Sequence, residues 1–190
     1  MKLLFTLLSF IYLTPLTIKS VAQKKAPVVA ANTIDDEKYP ALADNISRLF
    51  YVQRSPNSNT IVYELNVGKN GQLDTEEPMH VYWLRYAEKG QKEELNYIQR
   101  KFAYGVVTKP QGRDKYDVRF VSYKKFPLTL MKGDDGKYHI FATVNQKEMA
   151  LSRIFIKIEG GSFWLPNVKY VEMKGTDPST GKEITERFKP

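Results

Sequence analysis

The sequence predicts a mainly β protein, a single antiparallel β-sandwich or barrel-like domain of nine or ten short strands with one short helix. Three observations carry that expectation. Runs of β-branched and aromatic residues alternate with polar residues at a period of two, and clusters of Gly, Asn, Asp, Pro and Ser interrupt them about every ten residues. Only one stretch switches to helical spacing.

Strands are predicted first over 49–53 and 60–67, with Ser55-Pro56-Asn57-Ser58-Asn59 as the turn between them. In the second run Ile61, Tyr63, Leu65 and Val67 share one face while Glu64 and Asn66 share the other, the pattern of a half-buried strand. Lys69-Asn70-Gly71 supplies a hairpin turn, because Asn and Gly adopt positive φ at little cost. A third strand covers 79–86. Over 93–103, Leu95, Ile98 and Phe102 recur at helical spacing behind Glu93 and Glu94, with Gly105 just past the end, which predicts the helix. Strands resume over 104–108, 116–123, 128–132, 138–145 and 152–159. Between them lie Gln111-Gly112-Arg113, Phe126-Pro127, Asp134-Asp135-Gly136 and the polar Gln146-Lys147-Glu148. A last hairpin pairs 168–174 with 183–188.

The chain opens with Lys2, runs apolar from Leu3 to Leu16 and reaches Ser20-Val21-Ala22 before Gln23-Lys24-Lys25. This is the order of a signal peptide, 1–22, cut after Ala22. The apolar run falls short of the roughly 20 residues that a membrane span needs, and Pro15 interrupts it. A lipid-anchored form would need a cysteine at the cut, and the sequence has none. The expectation is therefore an exported protein, periplasmic or extracellular, with no transmembrane segment after cleavage. Residues 23–38 show neither period and read as a flexible leader, which leaves 39–190 as one domain.

Without cysteine there are no disulfides, so stability rests on a packed core. The formal charge is +8, and it falls to +6 once Lys2 and Lys19 are lost with the signal peptide. The lysines are dispersed along the sequence and read as a solvated surface, with attraction to an anionic envelope polymer as the alternative, and nucleic acid is not expected as a partner because an exported protein rarely meets it.

Catalytic and metal motifs are missing. The sequence has two histidines, His80 and His139, in different predicted strands, so a three-histidine site is impossible, a two-histidine-plus-carboxylate site is a remote alternative, and no H-E-x-x-H occurs. Gly160-Gly161-Ser162 is not a nucleophile elbow, and Asp134-Asp135-Gly136 lacks the alternating ligands of a calcium loop. No phosphate loop or dinucleotide fingerprint is present. Neither a cofactor, a metal nor a catalytic residue is assigned.

The densest mix of aromatic and donor groups lies over 78–86 and 95–105. One face of the strand carries Val81, Trp83 and Arg85, and the other His80, Tyr82, Leu84 and Tyr86, so the strand is expected to be covered on both sides. The plainer account makes the aromatics core and pairs Arg85 with a Glu. The functional account is a pocket for a glycan or an anionic small molecule, built from Arg54, Asn57, His80, Trp83, Arg85 and Arg100. Since His80 and Trp83 face opposite ways, at most one of them lines a given cavity.

The runs 50–60, 80–85 and 97–105 resemble a family of small exported bacterial proteins, found mostly in Bacteroidetes and catalogued as domain of unknown function 4833. The resemblance covers roughly 47–174. It implies compartment and lineage, and it transfers no catalytic residue.

The leading functional expectation is a non-catalytic envelope domain that binds a small ligand or a glycan. Its rivals are a structural or accessory envelope protein that binds another protein through a strand edge, and a hydrolase of unrecognised type. Oligomeric state is not legible.

Overall fold

The computed structural model describes residues 39, 42, 45–86, 88–162 and 165–190. All of them belong to one compact unit, 34–190. The predicted signal peptide and leader lie outside the described residues.

Period-two alternation does produce a mainly β fold. Its strands are β1 (Arg48–Arg54), β2 (Thr60–Leu65), β3 (Met79–Leu84), β4 (Lys92–Glu94), β5 (Val106–Gly112) and β6 (Lys115–Phe120). They continue with β7 (Leu128–Lys132), β8 (Tyr138–Val144), β9 (Lys147–Gly161), β10 (Pro166–Thr176) and β11 (Glu183–Phe188). They form one hydrogen-bonded sheet in the order β4-β3-β2-β1-β9-β8-β7-β6-β5, with β10 added to β9 and β11 to β10.

The 15-residue β9 is where the sheet divides. Ala150 pairs with Phe141 of β8 and with Thr176 of β10, while Arg153 pairs with Tyr51 of β1 and with Lys174 of β10. Thus β10 occupies one edge of β9, and β8 and then β1 share the other. Two wings, β1–β4 and β5–β8, leave β9 in succession, and the sheet curls strongly into a half-barrel.

Of the expected antiparallel sandwich or barrel-like domain of about nine or ten strands, the barrel-like alternative fits this curled sheet, and the sandwich and the purely antiparallel pairing do not. Eleven strands form a single curled sheet, not two stacked ones, and β1 runs parallel to β9. The one strand not expected is β4, which lies at the start of the predicted helix, and turn composition misled at the start of β9. Asn145 and Gln146 both adopt positive φ, 49° and 67°, so they make a two-residue hairpin turn, and Lys147 already starts β9. The predicted loop 146–148 is therefore mostly strand.

The concave side holds the core. Phe50, Val52, Ile61, Tyr63, Val81 and Trp83 from one wing pack with Val118, Leu128, Leu130, Ile140 and Ala142 from the other, over Met149, Leu151 and Ile154 of β9. Phe50 stacks on Tyr63 at 4.4 Å between ring centroids, and Phe120 meets both rings edge-on. Each such side chain contributes about 1.5–3 kcal/mol by leaving water. A smaller cluster of Tyr51, Val62 and Tyr82, with Leu42 and Leu84 against it, covers the convex face. Both faces of β3 are thereby covered.

Helical spacing over 93–103 yields less helix than expected. Glu93 and Glu94 belong to β4, paired with Trp83 and Tyr82. The helix starts at Asn96, whose side chain accepts from Gln99 N while the Gln99 side chain accepts from Asn96 N, a capping box. One α turn, α1 (Tyr97–Gln99), widens into a π turn over Arg100–Tyr104. Leu95 is buried, but Ile98 and Phe102 are 65% and 60% exposed.

Candidate functional site

Alternation along the strands decides what faces the concave interior. Phe50, Val52 and Arg54 fall on one face of β1, Val81, Trp83 and Arg85 on one face of β3 and its extension, and Ile154, Ile156 and Ile158 on one face of β9. The inner surface therefore runs apolar along each strand and turns cationic at one end.

These rows line a cavity of about 630 Å³, within the roughly 300–1,000 Å³ range of small-molecule sites. Its walls are Val52, Ile61, Tyr63, Trp83, Tyr104, Phe120, Phe126, the three isoleucines of β9, Val168, Val171, Met173 and Phe188. Ile98, Phe102 and Tyr123 also line it, yet they are 65%, 60% and 41% exposed, so they stand at its mouth. The polar contribution is small and comes mainly from Arg54, Asn57, Asn59, Arg85, Gln99 and Ser122.

The turn after β1 is anchored to β9. Ser55 N donates to Ile156 O, Ser55 Oγ donates to Ile158 O, and Ile158 N donates to Ser55 Oγ. Asn59 N donates to Asn57 Oδ1 at 2.7 Å, closing an Asx turn. Arg54 is thus held on a fixed backbone. Its guanidinium lies 5.3 Å from the Tyr104 ring centroid and has no carboxylate partner among the described residues. Tyr104 in turn meets Trp83 edge-on at 4.8 Å, and its carbonyl accepts the Tyr63 hydroxyl at 2.8 Å. Burial, and secondarily the nearby Tyr104, pushes the Tyr63 phenol far above its ordinary range. Among the described residues, Trp83 Nε1 is the one buried side-chain nitrogen or oxygen with no hydrogen-bond partner.

Of the six residues singled out in sequence, Arg54, Asn57, Trp83 and Arg85 line this cavity, and His80 and Arg100 do not. Arg85 is held by Glu88 at 2.5 Å and by Glu93 at 3.4 Å. Arg100 lies exposed on the outer side of the π turn.

His80 occupies the opposite face of β3 from Trp83. Its Nδ1 is 2.9 Å from Glu64 Oε1 and its Nε2 is 2.8 Å from Glu94 Oε2, so the ring ties β2 to β4. Tyr82 donates to Glu64 Oε2 at 3.3 Å, and its phenol is pushed up to about 12 by burial first and by Glu64 second. Lys92 sits 3.8 Å from the Tyr82 ring centroid. Every polar atom named in this cluster has a partner, and it is read as a clasp for the convex face. Among the described residues no cluster of His, Asp or Glu is arranged to hold a metal ion.

Most of the cavity wall was missed because it comes from distant strands. Ile154, Ile156 and Ile158 alternate visibly in sequence, and that signal assigns them to one face. It does not say that the face lines a cavity rather than a filled core.

Comparison with curated proteins finds no match, and comparison with solved structures finds none either. A family model described as Domain of unknown function (DUF4833) matches residues 50–187, which takes in nearly all of β1 through β11 and every cavity wall named above except Phe188, and the chain belongs to that family.

Proposed function

We propose that this is an exported, non-catalytic binding domain that holds one amphiphilic small molecule, with its apolar body in the half-barrel and its anionic head beside Arg54. The observation that carries the reading is an almost wholly aliphatic and aromatic cavity whose unpaired cation is Arg54. Each methylene buried there contributes about 0.8 kcal/mol, so affinity would grow with chain length. An acceptor atom on the ligand would also give Trp83 Nε1 the partner it lacks within the fold.

A glycan suits these walls less well. Saccharide recognition needs many convergent hydrogen-bonding groups, and the lining offers few. The strand-edge alternative is weakened at β5, the end of one wing, because Lys109 and Pro110 blunt that edge against another strand.

Thermal unfolding with a series of fatty acids, the matching fatty alcohols and neutral oligosaccharides tests the reading. A ligand at a hundred times its Kd adds about 2.7 kcal/mol of stability. Acids should stabilise more than alcohols of equal length, and Arg54→Ala should erase that difference while leaving the alcohol response intact. Stabilisation by oligosaccharides alone would overturn it.

A further inference from the structure

The charge of this protein is concentrated in one part of the fold. Residues 95–133 hold nine Lys and Arg against two Asp, a net +7 of the chain's +8, although the cations are scattered along the sequence. That stretch is the helix and the strands β5, β6 and β7. Its two aspartates, Asp114 and Asp117, are occupied by Lys132 and Arg119, at 3.2 and 2.9 Å.

The same stretch supplies the exposed part of the cavity mouth. The helix contributes Ile98 and Phe102, and the β6–β7 loop contributes Tyr123. Beside them stand exposed Arg100, Lys101, Lys124 and Lys125, and neither segment, 95–104 or 121–127, has an acidic residue. Tyr97, 69% exposed, accepts from Lys101 Nζ at 2.7 Å. Aliphatic and aromatic tips set among cations, with tyrosines at the border, suit the interface of an anionic bilayer, where rings sit at headgroup depth and Lys and Arg meet phosphate. A polyanion such as nucleic acid would use the cations and leave Ile98 and Phe102 in water.

We propose that this rim docks on an anionic lipid surface and places the cavity mouth against the bilayer. The proposal concerns the outer rim and does not depend on which molecule fills the cavity.

Flotation of the purified chain with vesicles tests it, using phosphatidylcholine alone or mixed with phosphatidylglycerol. Binding should be at least tenfold stronger to the anionic vesicles and should weaken with salt. Two variants separate the contributions, Ile98→Ser with Phe102→Ser, and Arg100→Glu with Lys101→Glu. Each should lower vesicle binding about tenfold or more, with circular dichroism showing both folded. Because all variants share one N-terminal sequence, an apolar leader cannot produce the difference. No binding to anionic vesicles, or equal binding by both variants and the parent, would overturn the proposal. So would loss with the charge variant alone, accompanied by equal loss of heparin binding, since the surface would then be a polyanion site. Ile156→Trp, which fills the cavity, should abolish fatty-acid stabilisation and leave vesicle binding unchanged. Vesicle binding without any fatty-acid response in the parent would therefore sink the cavity reading and leave the docking surface standing.

Discussion

Arg54 and Arg85 stand one step past the apolar rows of β1 and β3, but they keep different company. Arg85 is paired with Glu88 and Glu93, and all three side chains keep substantial contact with water, so the pairing stabilises by at most about 1 kcal/mol. Among the described residues, Arg54 has the Tyr104 ring and no carboxylate. Arg85→Ala should thus cost under about 1 kcal/mol in denaturant unfolding, and Arg54→Ala should change stability by no more than about 0.5 kcal/mol. A loss above about 3 kcal/mol at Arg54 would make it a structural residue. Three raised phenols set the alkaline limit. The phenols of Tyr82 and Tyr138 are pushed up to about 12, each by burial first, then by Glu64 and Asp114 respectively, and Tyr63 is raised by burial as well. A raised folded pKa means stability fully present below the ordinary tyrosine value of 10.0 and lost as pH climbs through the folded value. Unfolding free energy should therefore fall between about pH 10 and 12. Phenolate absorbance should rise together with loss of the β-type circular dichroism. Tyr63→Phe, which removes a buried ionisable group, should soften that fall.

The helix is the element on which backbone fit matters most. A Cβ built on Gly105 would lie 2.0 Å from the Arg100 carbonyl oxygen, so the π turn can close onto β5 only without a side chain there. Gly105→Ala should shift the helix or cost about 1–3 kcal/mol, read as a lower melting temperature, whereas Asn96→Ala should cost about 1 kcal/mol through the lost cap. An unchanged melt in Gly105→Ala would show that the turn relaxes freely. This element also marks where legibility ended. Ile61, Tyr63, Trp83 and the isoleucines of β9 announced their faces by alternation, because a strand exposes alternate side chains to opposite sides. Leu95, Ile98 and Phe102 announced a helix equally well, yet the spacing could not reveal that two of them would be left at a cavity mouth instead of buried. Four of the six proposed site residues share the cavity because sequence neighbours on one wing stay neighbours in space. The opposite wall, from Phe120 to Phe188, depends on long-range pairing that no local pattern encodes. His80 is prominent without lining the cavity; its alternation relative to Trp83 said that at most one of the two would line it, and not which.

At the scale of the molecule, β9 is the strand on which both wings depend. Its pairing with β1 joins Tyr51 to Arg153, about a hundred positions apart, and it is the parallel contact in an otherwise antiparallel sheet. Loop-closure entropy delays such contacts until the rest of the chain supports them. Each wing by itself is a set of hairpins with an open edge and half a core. A chain ending at 146 would contain β1 through β8 and should still give no cooperative melt, while the full chain melts in one transition; a cooperative melt of the shorter chain would show that the wings close without β9. On that expectation, a chain emerging from the ribosome does not complete its fold until its final quarter has been synthesised. Under the export proposed above, the late position of β9 would keep the polypeptide threadable, and the half-barrel would close on the far side of the membrane.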